Sequence, residues 1–578
     1  MNRISRAAQS VSRIASRQLA RSNFSTQARS SQPSISWGAV AGAAGVAAGV
    51  TYFITKSDKN AVALKKEDED VGRGIQKVLD GASLDTDFSH KPKYGGEEEF
   101  KKALPEFIKA IGEEYVSTDE EDIQFHGWSN VSSSNLDTLP FGVLYPKSTE
   151  EVSAIAKICH KHKLPMVGYS GGTSLEGHLS AAYGGVCIDF SNMNKIIAIR
   201  PDDMDATVQP SVGWVDLNNE ILKEGHRLFL AVDPGPTAQV GGMVANSCSG
   251  TNCVKYGPMR DHVVNLTVVL ADGTILKTRQ RPRKTSAGYN LNHLFAGTEG
   301  TLGLITEITV KLQPIPNVTS VAVQQFPTVH AACKTAMDIL KEGIPMAALE
   351  LMDDQHMIWV NNSGYAKRKW EEKPALFMKF AGASEETVAE QVKVAKEKAA
   401  KYTDSPLHFG RDQEEQDELW SARKNALYLA LAAEKDGMKA WTTDVAVPLS
   451  QLPDIVMKAK QSITDAGLLG GVLGHIGDGN YHAIMLYTPE QADIVTDVVH
   501  KMVDQGLAAE GTCTGEHGVG FGKIEGLLHE VGPVSLNLMR TIKLSLDPLE
   551  LLNPGKIFTD DAIQQGLKTL DNNKAGKT

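Results

Sequence analysis

The chain has 578 residues, 42 % of them apolar and 22 % charged, a composition that excludes a fibrous or disordered protein. The length exceeds one core, because single domains stop growing at roughly 250 to 300 residues. The net charge of −11 hides a polarity: residues 1–57 hold six Arg and Lys56 with no acid, leaving 52 basic against 70 acidic residues and a body near −18. Such a body argues against nucleic acid as a partner and permits docking of a basic protein, although an ordinary solvated surface has the same balance and is the simpler reading.

Placed on a helix at about 100° per residue, Arg3, Arg6, Arg13, Arg17 and Arg21 share one arc, while Ile4, Ala8, Val11, Ala15 and Leu19 share another. This basic amphipathic helix, rich in Ser around it and without acid before Asp58, predicts a mitochondrial presequence over residues 1–36. An amphipathic helix lying on a membrane is the alternative. Residues 37–55 then supply the uncharged run WGAVAGAAGVAAGVTYFI, long enough for one transmembrane helix and carrying GxxxG spacings for close helix approach. Basic residues on the matrix side place the body in the intermembrane space, held at the inner mitochondrial membrane; a matrix location is the alternative. Residues 56–135 read as a tether and an N-terminal helical region.

From residue 136 the pattern is that of an α+β protein. Ser148 and Glu151 have capping-box spacing, and Val152, Ile155, Ala156 and Cys159 follow at helical intervals to about Lys163. A short strand (LPMVGYS) comes next, then strands with alternating faces at Val186, Ile188 and Phe190 and at Thr207 and Gln209. This block, 136–316, closes at Pro314 and Pro316. Over 317–510 strands and helices alternate (VAVQQF, the helix 331–341, AALELM, LFMKFA), predicting an antiparallel sheet with helices on one face. Residues 511–578 form a closing segment. The six cysteines make no CxxC pair and read as buried free thiols.

Three glycine-rich loops carry the chemistry of the first block. In VGYSGGTSLEGH, Gly171, Gly172 and Gly177 allow tight turns, and Thr173 and Ser174 add hydroxyl donors toward an anion. Neither a Walker loop nor GxGxxG is present, and alone this loop is equally a structural turn. It is followed by PGPTAQVGGMVANSCSGTNC from Pro234 and AGTEGTLGLITEITVKL from Ala296. In this order the loops resemble the FAD domain of the vanillyl-alcohol-oxidase/PCMH flavoproteins (FAD-binding oxidoreductase/transferase type 4), a resemblance that extends over nearly everything from residue 136 to the C-terminus.

The resemblance implies a PCMH-type FAD-binding domain followed by an α+β substrate (cap) domain. It puts Gly171, Gly172, Thr173, Ser174 and Gly177 on the FAD pyrophosphate. Pro234, Gly235, Gly241, Gly242, Asn246 and Gly250 line the isoalloxazine and phosphates, and Glu299, Gly300, Gly303 and Ile305 wall the adenosine side. Ser170 stands where many members have Gly.

Further on, HIGDGNYH sets His475 and His482 about a tight turn, and GEHG adds Glu516. Two imidazoles and a carboxylate suit a divalent metal with open positions, although each His alone reads as an ordinary hydrogen-bonded residue. The resemblance implies Zn or Mn on His475, His482 and Glu516, with His517 as catalytic base. In LWSARKNA it implies that Arg423 grips a substrate carboxylate; without it, a helix-surface ion pair is the simpler reading. Thr442 stands where 2-hydroxyglutarate-specific members carry Lys, which favours a monocarboxylate. Asn553, in NPGKIF, marks the return of the chain to the flavin, though Asn-Pro-Gly is also a good turn. The implied activity is oxidation of D-lactate to pyruvate, with hydride transfer to FAD and cytochrome c as electron acceptor. The alternatives are a D-2-hydroxyglutarate or glycolate dehydrogenase on the same scaffold, or a non-catalytic membrane-tethered flavin-fold protein.

Overall fold

The computed structural model describes residues 92–561 except 130, 131, 133, 365–367 and 434–436. The presequence and transmembrane segment expected over residues 1–55 lie outside the described residues. Among the described residues no helix is long and apolar enough to cross a membrane.

The first layer forms around the helix Thr149–His162. It starts at its predicted cap, where the Ser148 hydroxyl accepts the Glu151 N–H at 3.2 Å, and it buries Val152, Ile155, Ala156 and Cys159. A four-stranded sheet runs in the order Val116–Ser117, Gly142–Leu144, Val186–Asp189, Met166–Tyr169. The strand Val186–Asp189 was expected to alternate, yet all four residues are buried. It lies between two parallel neighbours and shares one apolar cluster with Ile155, Val269 and Leu304, the situation in which parallel strands are covered on both faces. The helix Glu97–Ile111 sends Phe100, Ala103, Phe107 and Ile111 into the same cluster. The helical part of the stretch 56–135 is therefore built into this layer.

A second, antiparallel sheet of five strands follows, ordered Ile196–Arg200, Asp205–Val208, Leu304–Lys311, Val263–Val269, Ile275–Lys277. The glycine loops occupy strand ends: the first follows Met166–Tyr169, and the third runs directly into Leu304–Lys311.

The second half is built on an eight-stranded antiparallel sheet whose central strands are Val318–Gln325, Ala375–Gly382, Ala348–Met352, Leu469–Gly474 and Asn480–Tyr487. Helices cover both faces, where one covered face was expected. Leu349, Leu351, Leu376 and Met378 pack with the helices Val329–Lys341, Glu385–Ala399, Leu452–Asp465 and Ala492–Ala508. Ala348, Met352, Ala375 and Phe377 point the other way, into a cluster with the helices Asp354–Ser363, Gln413–Lys424 and Ala426–Leu431. Successive strand residues alternate in direction and these strands are apolar on both sides, so a second helical layer is required; that layer carries Arg423.

The closing segment bends at Gly532 (φ 76°) within Ile524–Leu546 and rejoins the first sheet, where Leu552 bridges Met166 and the Asn553 N–H donates to the Met166 carbonyl at 2.8 Å.

Candidate active site

The three glycine loops meet in one cleft of about 900 Å³ between the first half and the cap sheet, within the size range of small-molecule and cofactor sites. Gly171, Gly172, Thr173 and Ser174 line it together with Pro234, Gly235, Gly241, Gly242, Asn246, Gly250, Glu299, Gly300, Gly303, Ile305 and Asn553. Glycine has two distinct reasons to be here. At Gly241 a Cβ would meet Pro210 Cβ at 2.5 Å, whereas at Gly242 it would meet no protein atom within 4 Å. A side chain at 242 would instead project into the cleft. These walls fit a long, flat, phosphate-bearing cofactor approached by backbone.

Gly177 departs from the sequence reading, and Glu299 and Ser170 make protein contacts of their own. Gly177 is not on the cleft wall: its N–H donates to Ser132 Oγ at 3.0 Å, and a Cβ would strike the Ser134 carbonyl at 2.6 Å, so it shapes the turn against Ser132 and Ser134. Glu299 lines the cleft, but its carboxylate is committed to other protein groups. It accepts the Val519 and Gly520 N–H groups at 2.7 Å each and lies 2.9 Å from His178 Nε2, thereby clamping the loop that carries His517. Burial by itself would raise the Glu299 carboxyl, yet His178 and these N–H groups outweigh it and hold it low. Ser170 turns its hydroxyl to Gln239 Oε1 at 2.7 Å.

At the cap end of the cleft stand Arg423, Thr442, His475, His482, Glu516 and His517. His475 follows the strand Leu469–Gly474, His482 lies on its hairpin partner Asn480–Tyr487, and Glu516 comes from the closing segment. Glu516 Oε1 is 3.3 Å from His475 Nε2 and 3.2 Å from His482 Nε2, and one ligand atom from each of the three falls within 4.8 Å of the others. The far nitrogens are already engaged: His475 Nδ1 meets Glu350 at 3.0 Å, and His482 Nδ1 meets the Thr443 carbonyl at 3.1 Å. Both Nε2 atoms are thus turned to one point, the arrangement that second-sphere acceptors impose on metal-ligating histidines. Burial would lower His475, but Glu350 and Glu516 prevail and raise it well above its ordinary value, so positive charge is favoured between those two carboxylates. The donor set fits a divalent cation.

His517 stacks on His482, with ring centroids 5.1 Å apart and planes at 9°. Its loop is fixed by Asp444, whose Oδ2 accepts the N–H groups of Glu516 and His517 and the Thr514 hydroxyl, each at 2.8 Å. Burial opposes protonation of the His517 ring, but Asp444 and Glu176 outweigh it and raise its proton affinity, the direction a proton acceptor needs. Arg423, at the last turn of Gln413–Lys424, is buried. Glu350 Oε2 is 2.6 Å from its Nη2, and its Nε is buried without a hydrogen-bond partner. The neighbouring cation on the cleft, Lys424, is paired with Asp233 at 3.2 Å.

Glu350, Asp444 and Glu176 were not singled out from the sequence. For Glu350 a signal existed: it is the one charged residue in the strand ALELM, all of it buried, and a carboxylate in such a strand needs partners.

Comparison with known proteins agrees with this architecture. Residues 140–279 match the family model for the FAD binding domain, and residues 315–557 match that for FAD linked oxidases, C-terminal domain. The chain belongs to the FAD-linked oxidase family and is an FAD-dependent oxidoreductase. Among its relatives is "D-lactate dehydrogenase [cytochrome], mitochondrial" of Kluyveromyces lactis, 44 % identical over 81 % of this chain and 83 % of that protein. The protein of the same name in Arabidopsis thaliana is 42 % identical over 80 % of this chain and 81 % of its own length. Among solved structures, p-cresol methylhydroxylase shares the fold, with a TM-score of 0.68 at 19 % identity, covering 81 % of this chain and 98 % of its own.

Proposed function

We propose that this protein oxidises D-lactate to pyruvate at the cap end of the cleft, with cytochrome c as final electron acceptor. The observation that carries the reading is the buried Arg423, with an unclaimed donor on the same cleft as the converging His475, His482 and Glu516 and the stacked His517. The names of the relatives, mitochondrial D-lactate dehydrogenases that act with cytochrome, point the same way.

In this reading Arg423 binds the substrate carboxylate through its planar fork, which sets Cα and its hydroxyl toward the histidines. His517 takes the hydroxyl proton as the C–O double bond forms. Its stack on His482 and the Asp444-held backbone fix the ring in place, and Asp444 stabilises the imidazolium that results. FAD, when bound along Gly171–Ser174, Pro234–Gly250 and Gly300–Ile305, supplies the acceptor for the Cα hydride. A divalent ion, Zn or Mn, on His475, His482 and Glu516 supplies acidification of the hydroxyl. The protein in turn supplies position, charge and exclusion of water. With Lys424 engaged by Asp233 and Thr442 neutral, Arg423, whose Nε is unclaimed beside its contact with Glu350, is the cation among the described cleft residues that offers a donor to the substrate, which favours a monocarboxylate over D-2-hydroxyglutarate.

The functional divisions are an FAD domain over 136–316 joined by the helices before it, a cap domain over 317–510 and a closing segment from 511 that brings Glu516, His517 and Asn553 to the cleft. Residues 1–36 direct the chain to mitochondria and 37–55 anchor it in the inner membrane, with the acidic body facing the basic cytochrome c in the intermembrane space. The test is anaerobic bleaching of the bound flavin by D-lactate, L-lactate, glycolate and D-2-hydroxyglutarate, before and after chelation. Bleaching by D-lactate above the others, lost with the metal and regained on its return, is expected; preferential bleaching by D-2-hydroxyglutarate overturns the substrate assignment.

A further inference from the structure

We infer that Glu350 is a positioning residue that ties Arg423 to the proposed metal centre, so that substrate carboxylate and metal are held through one shared buried carboxylate. The inference rests on the function proposed above and adds a coupling between its two halves.

Glu350 occupies the middle of the strand Ala348–Met352, is 1 % exposed and faces Phe377 across the sheet. A lone carboxylate in such surroundings is strongly disfavoured unless charged or hydrogen-bonding partners meet it. It has two, from segments far apart in the chain. Oε2 is in ion-pair contact with Arg423 Nη2 at 2.6 Å, neither atom having a hydrogen-bond partner, and Oε1 is hydrogen-bonded to His475 Nδ1 at 3.0 Å.

The effect on His475 follows from hydrogen-bond chemistry, and that on Arg423 from charge. An acceptor at Nδ1 keeps a proton there, so that Nε2, aimed at Glu516, is the nitrogen that a metal would take in place of its proton. The same carboxylate holds one end of the Arg423 fork by charge, while Nε and Nη2 are both without a hydrogen bond. His482 is oriented differently, by the Thr443 carbonyl, which no side-chain change can remove. The metal site therefore has one histidine oriented by backbone and one oriented by Glu350. Only the second is linked to the substrate-binding cation. A shift of Glu350 moves both partners.

The experiment uses the FAD-loaded enzyme with Glu350→Gln. A glutamine of nearly the same shape retains one acceptor oxygen, loses the charge and presents an amide NH₂ to one of two donors. Metal retention against graded chelator should weaken about 10- to 100-fold, and KM for D-lactate should rise about tenfold, while flavin content and circular dichroism stay unchanged. Glu350→Asp keeps the charge on a shorter arm, so it should retain metal better than the glutamine variant; if the glutamine chain does not fold, this variant is compared with wild type, and must weaken metal retention and raise KM together. A variant that matches wild type in both readouts, or that changes only one, overturns the shared role. A wild-type enzyme that holds no metal overturns the metal reading itself, a result distinct from a metal-holding wild type with an indifferent Glu350.

Discussion

The two ends of the cleft are made by different means. At the FAD end the wall is mostly backbone: glycines at 171, 172, 235, 241, 242, 250, 300 and 303 bring the main chain to the cleft surface. At the cap end the wall is buried and half-buried polar side chains, with Arg423, His475, His482, Glu516 and His517 drawn from separate strands, a helix and the closing segment, and the buried Glu350 behind them. A backbone cradle tolerates chemistry and forbids bulk; a charged cluster tolerates modest changes of bulk and depends on each charge. Mutations should therefore fail in opposite ways at the two ends.

The largest effect is expected from His517→Ala, which should lower kcat about 10²- to 10⁴-fold while the purified protein remains yellow; an unchanged kcat would remove His517 from the reaction. At the opposite end, Gly242→Leu places a side chain in the cofactor space, and overpacking of about 1 to 3 kcal/mol should weaken FAD binding by roughly 10- to 100-fold. Retained flavin absorbance after gel filtration would show that this wall does not face the cofactor. Arg423→Lys keeps the charge but loses the planar fork, and should raise KM for D-lactate about tenfold with little loss of bound flavin, measured by steady-state kinetics.

The smallest effect on activity is expected at a buried charge outside the cleft. Asp353 caps the helix Asp354–Ser363 and lies 2.9 Å from His356 Nδ1 and 2.7 Å from Lys460 Nζ. Burial by itself would raise it, but His356 and Lys460 prevail and hold its carboxyl at about 2. Since this is below the unfolded value of about 3.9, the ionised group contributes stability that is full above about pH 4 and is lost as pH falls through about 2. Asp353→Asn should therefore cost about 2 kcal/mol at pH 7, the gap to wild type closing in acid, with kcat retained; denaturant titrations at several pH values measure it. A large loss of kcat would mean that this ion cluster serves the reaction as well as the fold.

Much of the FAD end was legible because its loops are local. Gly171 to Ser174 and the run from Pro234 to Gly250 are short segments whose glycines and hydroxyls reveal backbone approach without knowledge of their neighbours. Gly177 shows the limit of that reading, since its N–H is claimed by Ser132, a contact 45 residues away in sequence. Glu299 does line the cleft, but the partners of its carboxylate, N–H groups at 519 and 520, were equally out of reach of local spacing. At the cap end, HIGDGNYH and GEHG are visible as separate motifs, but Glu350 sits unmarked in an apolar strand and Asp444 belongs to neither motif.

The sequence by itself determined the ordered glycine loops, the caps and apolar periodicity of the main helices, and the residue types able to hold a metal and a carboxylate. These depend on interactions among residues close in the chain. Only the tertiary structure decided that both faces of the cap sheet are covered, that Glu299 clamps the His517 loop, and that one carboxylate at 350 touches both Arg423 and His475. The last two join residues 73 or more positions apart, and the pairing of buried charges over such distances is fixed by strand order and packing, not by local spacing.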